Sequence, residues 1–349
     1  MSRPAPFSRR KLVLGTPVVL AGGLLAACAS DPEPPPAPPT GEVDPEQSAP
    51  VATVDLFETL VTEIHEAVVT ADEEHDAELL APRVTGSAAE FRTAAYAMIA
   101  EAEEWAEELK VPSDQLTVPL TSTGREFPRT AIALVEDSVE DGVPYFMALQ
   151  QADARAPYTS WGWAQQAVGV EMPMVPHQET GAEPVALDDT NLLVTPAEAL
   201  ELYAKVLTDG DDADPDDVLA PNPFQSGTHE RIQTEREELN AGVEQDEAAT
   251  IKEVFTVTED EFVGLRTDNG GAIVMGTLLS TRTVSIKDGA TMRYAEDNKY
   301  TKVIGTREFT EEYVREFGTH VALFIPPAGS DLQVQPIGAT QTALDASGQ

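Results

Sequence analysis

Twice along this chain a helical apolar period gives way to a strand period, and that order limits the folds open to it. Val54, Phe57, Leu60, Val61, Ile64 and Val68 recur every three or four residues, which places them on one face of a helix. A second helical pattern opens at Ser87, with Glu90 three positions on completing a capping box. After about Lys110 the period shortens, and "QLTVPL", "RTAIALV", "PYFMALQQ" and "YTSWGWAQQAV" read as strands separated by Gly, Pro and Asp. From Thr195 the same order begins again. Thr195-Pro196-Ala197-Glu198 is a capping box with proline at the first helical position, and Leu200, Tyr203, Val206 and Leu207 continue the apolar face. A helical stretch follows through Arg231 to Leu239, then strands "TIKEVFTV", "FVGLRT", "AIVMGTLLSTRTVSI", "THVALFI" and "LQVQPIGATQTAL". Helices followed by runs of strands predict an α+β fold rather than alternating βαβ units.

The repetition extends to details. Leu80-Ala81-Pro82 and Leu219-Ala220-Pro221 occupy equivalent places, and Arg92 falls opposite Arg231 at the same offset. The expectation is a diverged internal duplication, with domains at 51–190 and 191–349. Each is expected to pack two helices on a curved, largely antiparallel sheet, and each has the size of one domain.

The first 27 residues have another character. A basic head (Arg3, Arg9, Arg10, Lys11), an apolar middle from Leu12 to Leu25 and a small-residue exit make the build of an export signal. The middle is broken by Gly15, Pro17, Gly22 and Gly23, and is shorter than the ~20 residues a membrane-crossing helix needs. Leu25-Ala26-Ala27-Cys28 resembles the bacterial lipobox, which implies that the thiol of Cys28, the chain's one cysteine, carries diacylglycerol and becomes the mature N-terminus. Ser8-Arg9-Arg10-Lys11-Leu12-Val13 resembles the twin-arginine export motif, with ordinary unfolded export as the alternative route. Residues 28–50, "DPEPPPAPPTGEVDPEQSAP" after the Cys28-Ala29-Ser30 start, are proline-dense and acidic and read as a semi-rigid tether.

Charge narrows the partners. The chain has 61 acidic residues against 22 Lys and Arg, a formal net charge of −39. Loss of the signal removes four basic residues and no acidic ones, which takes −39 to −43. Nucleic acid would be repelled, and so would anionic lipid, so attachment to the membrane is expected through Cys28 alone. An envelope protein is the remaining class of macromolecular partner.

"LLAPRVTGSAAEFRTAAYAM", "PYFMALQQADARAPYTSWGWAQQAVGV" and "LLVTPAEALELYAKVLTDG", behind the lipobox, resemble an uncharacterised family of actinobacterial lipoproteins built from two related domains. That resemblance implies an extracytoplasmic, lipid-anchored protein and transfers no catalytic residue. Helices on a curved antiparallel sheet are also similar, by analogy of fold alone, to NTF2-like and cystatin-like proteins.

Residues with catalytic spacing are missing from the sequence: it holds no G-x-S-x-G, no glycine loop ending in Lys-Ser or Lys-Thr, and no H-E-x-x-H. His65, His75, His177, His229 and His320 lack metal-ligand spacing, and no metal or cofactor is expected. Asp209 to Asp217, "DGDDADPDD", departs from the EF-hand template at Ala213 and Ala220 and reads as a hydrated loop. Trp161 and Trp163 flank Gly162, so strand alternation puts both indoles on one face, either to stack a flat ligand or to fill the space under the helices. Arg92 and Arg231 are candidates to bind an anion, against simple pairing with nearby carboxylates. The expected function is a lipid-anchored binding or scaffolding module of the envelope. Its rivals are a small-molecule enzyme of NTF2-like type and a solute-binding transport lipoprotein.

Overall fold

The computed structural model describes residues 49–349 apart from Arg125. The signal segment 1–27, Cys28 and nearly all of the tether lie outside the described residues.

The chain has a mixed α+β fold with antiparallel sheets. Helix α1 (Val54–Glu74) starts where Thr53 accepts the Leu56 N–H, and buries Phe57, Leu60, Val61, Ile64 and Val68, the apolar face read from the sequence. A short 3₁₀ turn, Ala77–Leu80, leads to α2 (Gly86–Glu101), and a second, Glu103–Glu108, leads to the strands. These are β1 (Pro112–Thr121), β2 (Arg129–Asp137), β3 (Tyr145–Gln151) and β4 (Thr159–Gln165), an antiparallel meander in that order. The second half has α3 (Pro196–Asp209), a 3₁₀ turn at Asp211–Ala213, α4 (Pro223–Leu239), β5 (Ala249–Arg266) and β6 (Ala272–Ile286). An excursion follows through β7 (Met292–Arg293), α5 (Lys299–Ile304) and β8 (Glu308–Phe309), and the sheet is completed by β9 (Glu312–Ile325) and β10 (Gln335–Gly348). The second sheet runs β10-β9-β6-β5. Apart from the β7–β8 excursion, the two halves share one order of elements.

The halves match in a further detail. Val84 bridges Ser160 at the start of β4, and Leu219 bridges Val334 just before β10, both in parallel sense. These bridges set Val84 opposite Leu219, rather than the Leu80 that the Leu-Ala-Pro match proposes. Counted from their N-caps Thr85 and Asn222, Arg92 lies seven residues along and Arg231 nine, so the two arginines are not at equivalent positions.

Alternation along the strands builds the core in layers. On β2, Ala131, Ala133 and Val135 face the α1 and α2 layer, while Ile132 and Leu134 face the other sheet. On β6, Ala272 and Val274 face the α3 layer, while Ile273 and Met275 turn toward the first sheet. Helices, sheet, sheet and helices therefore stack in that order. The middle layer belongs to both halves, because Ile132, Phe146 and Trp161 pack in one cluster with Val263, Ile273 and Phe324. The described residues from 49 to 349 belong to one compact unit. Among the described residues no helix is long and apolar enough to cross a membrane.

Candidate functional site

Two places gather polar side chains where the halves meet. The first is buried around His320 of β9. Its Nδ1 accepts the Trp163 N–H at 3.4 Å, so the ring proton sits on Nε2 and is donated to Ser87 Oγ at 2.9 Å. Ser87 Oγ also reaches the Glu261 carboxylate and the Trp161 carbonyl, and Thr277 donates to Glu261 Oε2 at 2.8 Å. Serine, histidine and carboxylate are the residue types of a hydrolytic triad, but they are connected in the wrong order. The carboxylate touches the serine instead of the imidazole, and the imidazole donates to the hydroxyl it would have to deprotonate. Burial holds the His320 pKa down, to about 3, and the void beside it is about 10 Å³, too small for a substrate. This network joins the halves.

The same place corrects two sequence expectations. Ser87 and Glu90 do not form a capping box: α2 begins at Gly86, its N-cap Thr85 makes no side-chain capping bond, and Ser87 is inside the helix. Glu261 supplies the missing acceptor, taking the Ser87 N–H at 2.6 Å from the other half. It reaches there because β5 bulges between Val257 and Phe262. Gly86 stands at φ +57°, and a Cβ there would lie 2.0 Å from Glu261 Oε1.

The two tryptophans are also separated. A register shift between Ala148 and Leu149 gives β4 one extra residue, and that residue is Trp161. Its indole therefore joins the layer between the sheets, whereas Trp163 packs under α2. Both are buried, at 3% and 4% exposure, and Gly162 between them makes room for the His320 ring. Arg92 is buried beside Trp163. It donates to the Lys110 carbonyl at 2.6 Å and lies 3.4 Å from Asp72. Desolvation dominates both partners: the Asp72 pKa is raised by burial, against the pull of Arg92, and the Arg92 pKa is lowered by burial, against Asp72.

The second place is a cavity of about 340 Å³ between α2, residues 103–109, α4 and α5, floored by the second sheet. Its floor includes Arg282 of β6, Phe317 of β9 and Gln341 of β10. Its walls mix polar groups with the apolar and aromatic side chains of Met98, Trp105, Leu109, Phe224 and Tyr300. Three cations line it, Arg231, Arg282 and Lys299, against one carboxylate, Glu108. In a chain of net charge −39 this is a local reversal of sign.

Each cation is held differently. Arg282 is buried and pairs with Glu253 directly across the strand pair, Nε to Oε2 at 2.7 Å and Nη2 to Oε2 at 2.6 Å. Lys299 pairs with Glu108 at 2.7 Å and lies 4.1 Å from the centre of the Trp105 ring, whose Nε1 donates to the Lys299 carbonyl. Arg231, on the exposed side of α4, donates to Thr228 Oγ1 at 3.0 Å, and among the described residues no carboxylate pairs with it. Its pKa is lowered, first by desolvation and next by the like charge of Arg282. Beside Arg282 on the same face of the sheet, its register partner Arg315 pairs with Glu235 at 2.6 Å and packs over Tyr313. Of the two arginines singled out in the sequence, one is thus a paired core residue and the other an open cation in a cavity.

Several participants were invisible to motif reading. Glu261, Thr277, Trp105, Lys299 and Tyr300 belong to no recognisable spacing. Arg282 carries a signal, since it interrupts the β-branched run of β6 with a charge; that Arg315 of β9 is its register partner is a fact of the fold.

In the Asp209 to Asp217 loop the carboxylates serve the chain itself. Asp214 accepts the N–H groups of Val218 and Leu219, Asp211 accepts from Gln225, and Asp209 pairs with Lys252. Among the described residues no three His, Cys, Asp or Glu side chains converge for a metal ion.

No curated protein and no solved structure matches the chain. One family model does, over residues 48–348, and so spans both halves. The chain belongs to the family described as Domain of unknown function (DUF8094).

Proposed function

We propose that this protein is a binding module of the cell envelope, tied to the outer face of the cytoplasmic membrane through a diacylglyceryl group on Cys28, and that it takes an anionic small molecule in the cavity under α4. The observation that carries the binding reading is the open guanidinium of Arg231 beside Arg282 in an aromatic-walled cavity of about 340 Å³, the size range of small-molecule sites. Carboxylates are abundant on this chain, yet among the described residues none is spent on Arg231. A guanidinium without a carboxylate partner at the open side of an aromatic-lined cavity is the arrangement that an incoming anion completes.

In the same reading the two halves are diverged copies of one α+β unit of NTF2-like or cystatin-like type. Their common order of elements and the matching Val84 and Leu219 bridges support it.

Titration with aromatic anions, benzoate and phenyl phosphate, against neutral benzyl alcohol tests the binding reading. Saturable binding of an anion that raises the melting temperature is expected, with Arg231→Ala weakening it by roughly tenfold. No saturable binding, or binding that ignores Arg231→Ala, would refute it. The anchor is tested by fatty-acid labelling, which wild type should take up and Cys28→Ala should not; an unlabelled wild type would overturn it.

A further inference from the structure

We infer that the cavity selects a singly charged carboxylate borne on an aromatic ring, an inference that rests on the anion-binding reading above. The pairing of charges decides the first half. Arg282 spends Nε and Nη2 on Glu253, and Glu235 stands 3.8 Å from its Nη1. Arg315 beside it is paired with Glu235, and Lys299 with Glu108. Four cations in and beside the cavity are thus set against three carboxylates, and among the described residues Arg231 is the one with none. The surplus is one positive charge. A single negative charge balances it. A second would find no cation to spare and would add to the field of Glu108, Glu235 and Glu253, in a chain whose net charge is already −39.

The donors of Arg231 decide the headgroup. A guanidinium presents two forks, Nε with Nη2 and Nη1 with Nη2, and each proton of Nη2 belongs to one of them. The bond to Thr228 Oγ1 takes one of those protons, so one fork stays whole. Two parallel N–H donors in one plane match the two oxygens of a carboxylate. The walls decide the rest. A carboxylate alone leaves most of about 340 Å³ unfilled, and Trp105, Phe224, Tyr300 and Phe317 supply rings for a flat apolar group to pack against.

Calorimetry on the folded protein, at pH 7.5 and constant ionic strength, compares benzoate, phenyl phosphate and acetate. Benzoate is expected to bind roughly tenfold more tightly than either of the others, because phenyl phosphate carries close to two charges there and acetate lacks the ring. Arg231→Gln should abolish that preference, and Arg231→Lys, which keeps the charge without the fork, should retain part of it. Glu108→Gln reads the charge balance directly: it leaves Lys299 without its carboxylate, raises the surplus to two, and should increase the affinity for phenyl phosphate more than that for benzoate. Phenyl phosphate binding wild type as tightly as benzoate does, or a ratio of the two affinities unmoved by Glu108→Gln, would overturn the single-charge inference while leaving anion binding intact. Acetate binding as tightly as benzoate would overturn the aromatic ring. Failure of all three to bind would refute both readings.

Discussion

Glu261 accepts the backbone N–H of Ser87 at 2.6 Å across 174 residues of sequence, so the first turn of α2 in one half is capped by the sheet of the other. Orphan N–H groups at a helix start carry partial positive charge, and a carboxylate is a strong partner for them. The contact ties the position of α2 to the bulge in β5, and through Thr277 and His320 to β6 and β9.

Removing that carboxylate should be costly. Glu261→Ala leaves the Ser87 N–H and hydroxyl without their charged acceptor and is expected to destabilise the protein by about 1 to 3 kcal/mol in urea unfolding. Ser87→Ala should cost less when Glu261 is already alanine, with a coupling of about 0.5 kcal/mol or more. Additive effects would show that the two residues do not act as a unit.

This contact also marks the boundary of what the sequence makes legible. The apolar faces of α1 and α3 and the strands β1 to β4, β6 and β10 are written in local periodicity, because burial on one side forces a period on the chain, whereas β5 reads as two strands across its bulge and β9 shows only its second half. The Thr195 and Glu198 capping box forms as read, since all its partners lie within four residues. Ser87 and Glu90 carry the same local signature, but a distant carboxylate outcompetes it. Trp161 leaves the strand alternation through a bulge at the point where Gly162 admits the His320 ring, a fact of tertiary packing. Helix α5 is too short to show a period, yet it brings Lys299 and Tyr300 to the cavity. The cavity itself draws on elements from both halves, so no single stretch announces it.

His320 should give the protein a recognisable acid profile. Its pKa is depressed from 6.5 to about 3 in the folded state, mainly by burial. Between those values the unfolded chain binds a proton that the folded chain refuses, so stability rises with pH across the window and is lost as pH falls from about 6.5 toward 3. The slope from one such group is at most about 1.4 kcal/mol per pH unit. Carboxylates titrate in the same range, with the raised pKa of Asp72 acting in the opposite sense, so the comparison with His320→Gln isolates the histidine. Urea unfolding from pH 7.5 to 4 should show the wild type losing stability more steeply than the variant. Parallel slopes would mean that the imidazole is already protonated in the folded protein.

The shared middle layer makes a demand on the two halves. Ile132, Phe146 and Trp161 of the first sheet are covered by Ile273, Met275 and Phe324 of the second, and the Ser87, Glu261 and His320 network crosses the same seam. Sheet faces exposed by separation would be extended apolar patches of the kind that aggregate or stay loosely packed. Residues 49–190 and 191–349 expressed separately are therefore expected to lack a cooperative unfolding transition, and to regain one when mixed, as each supplies the other's missing core. Each fragment also tests a different contact, because the first retains α2 without its Glu261 cap and the second retains His320 without Ser87. Cooperative melting of either fragment alone would show that its own helix and sheet layers suffice, and that the layer between the sheets joins two bodies already folded.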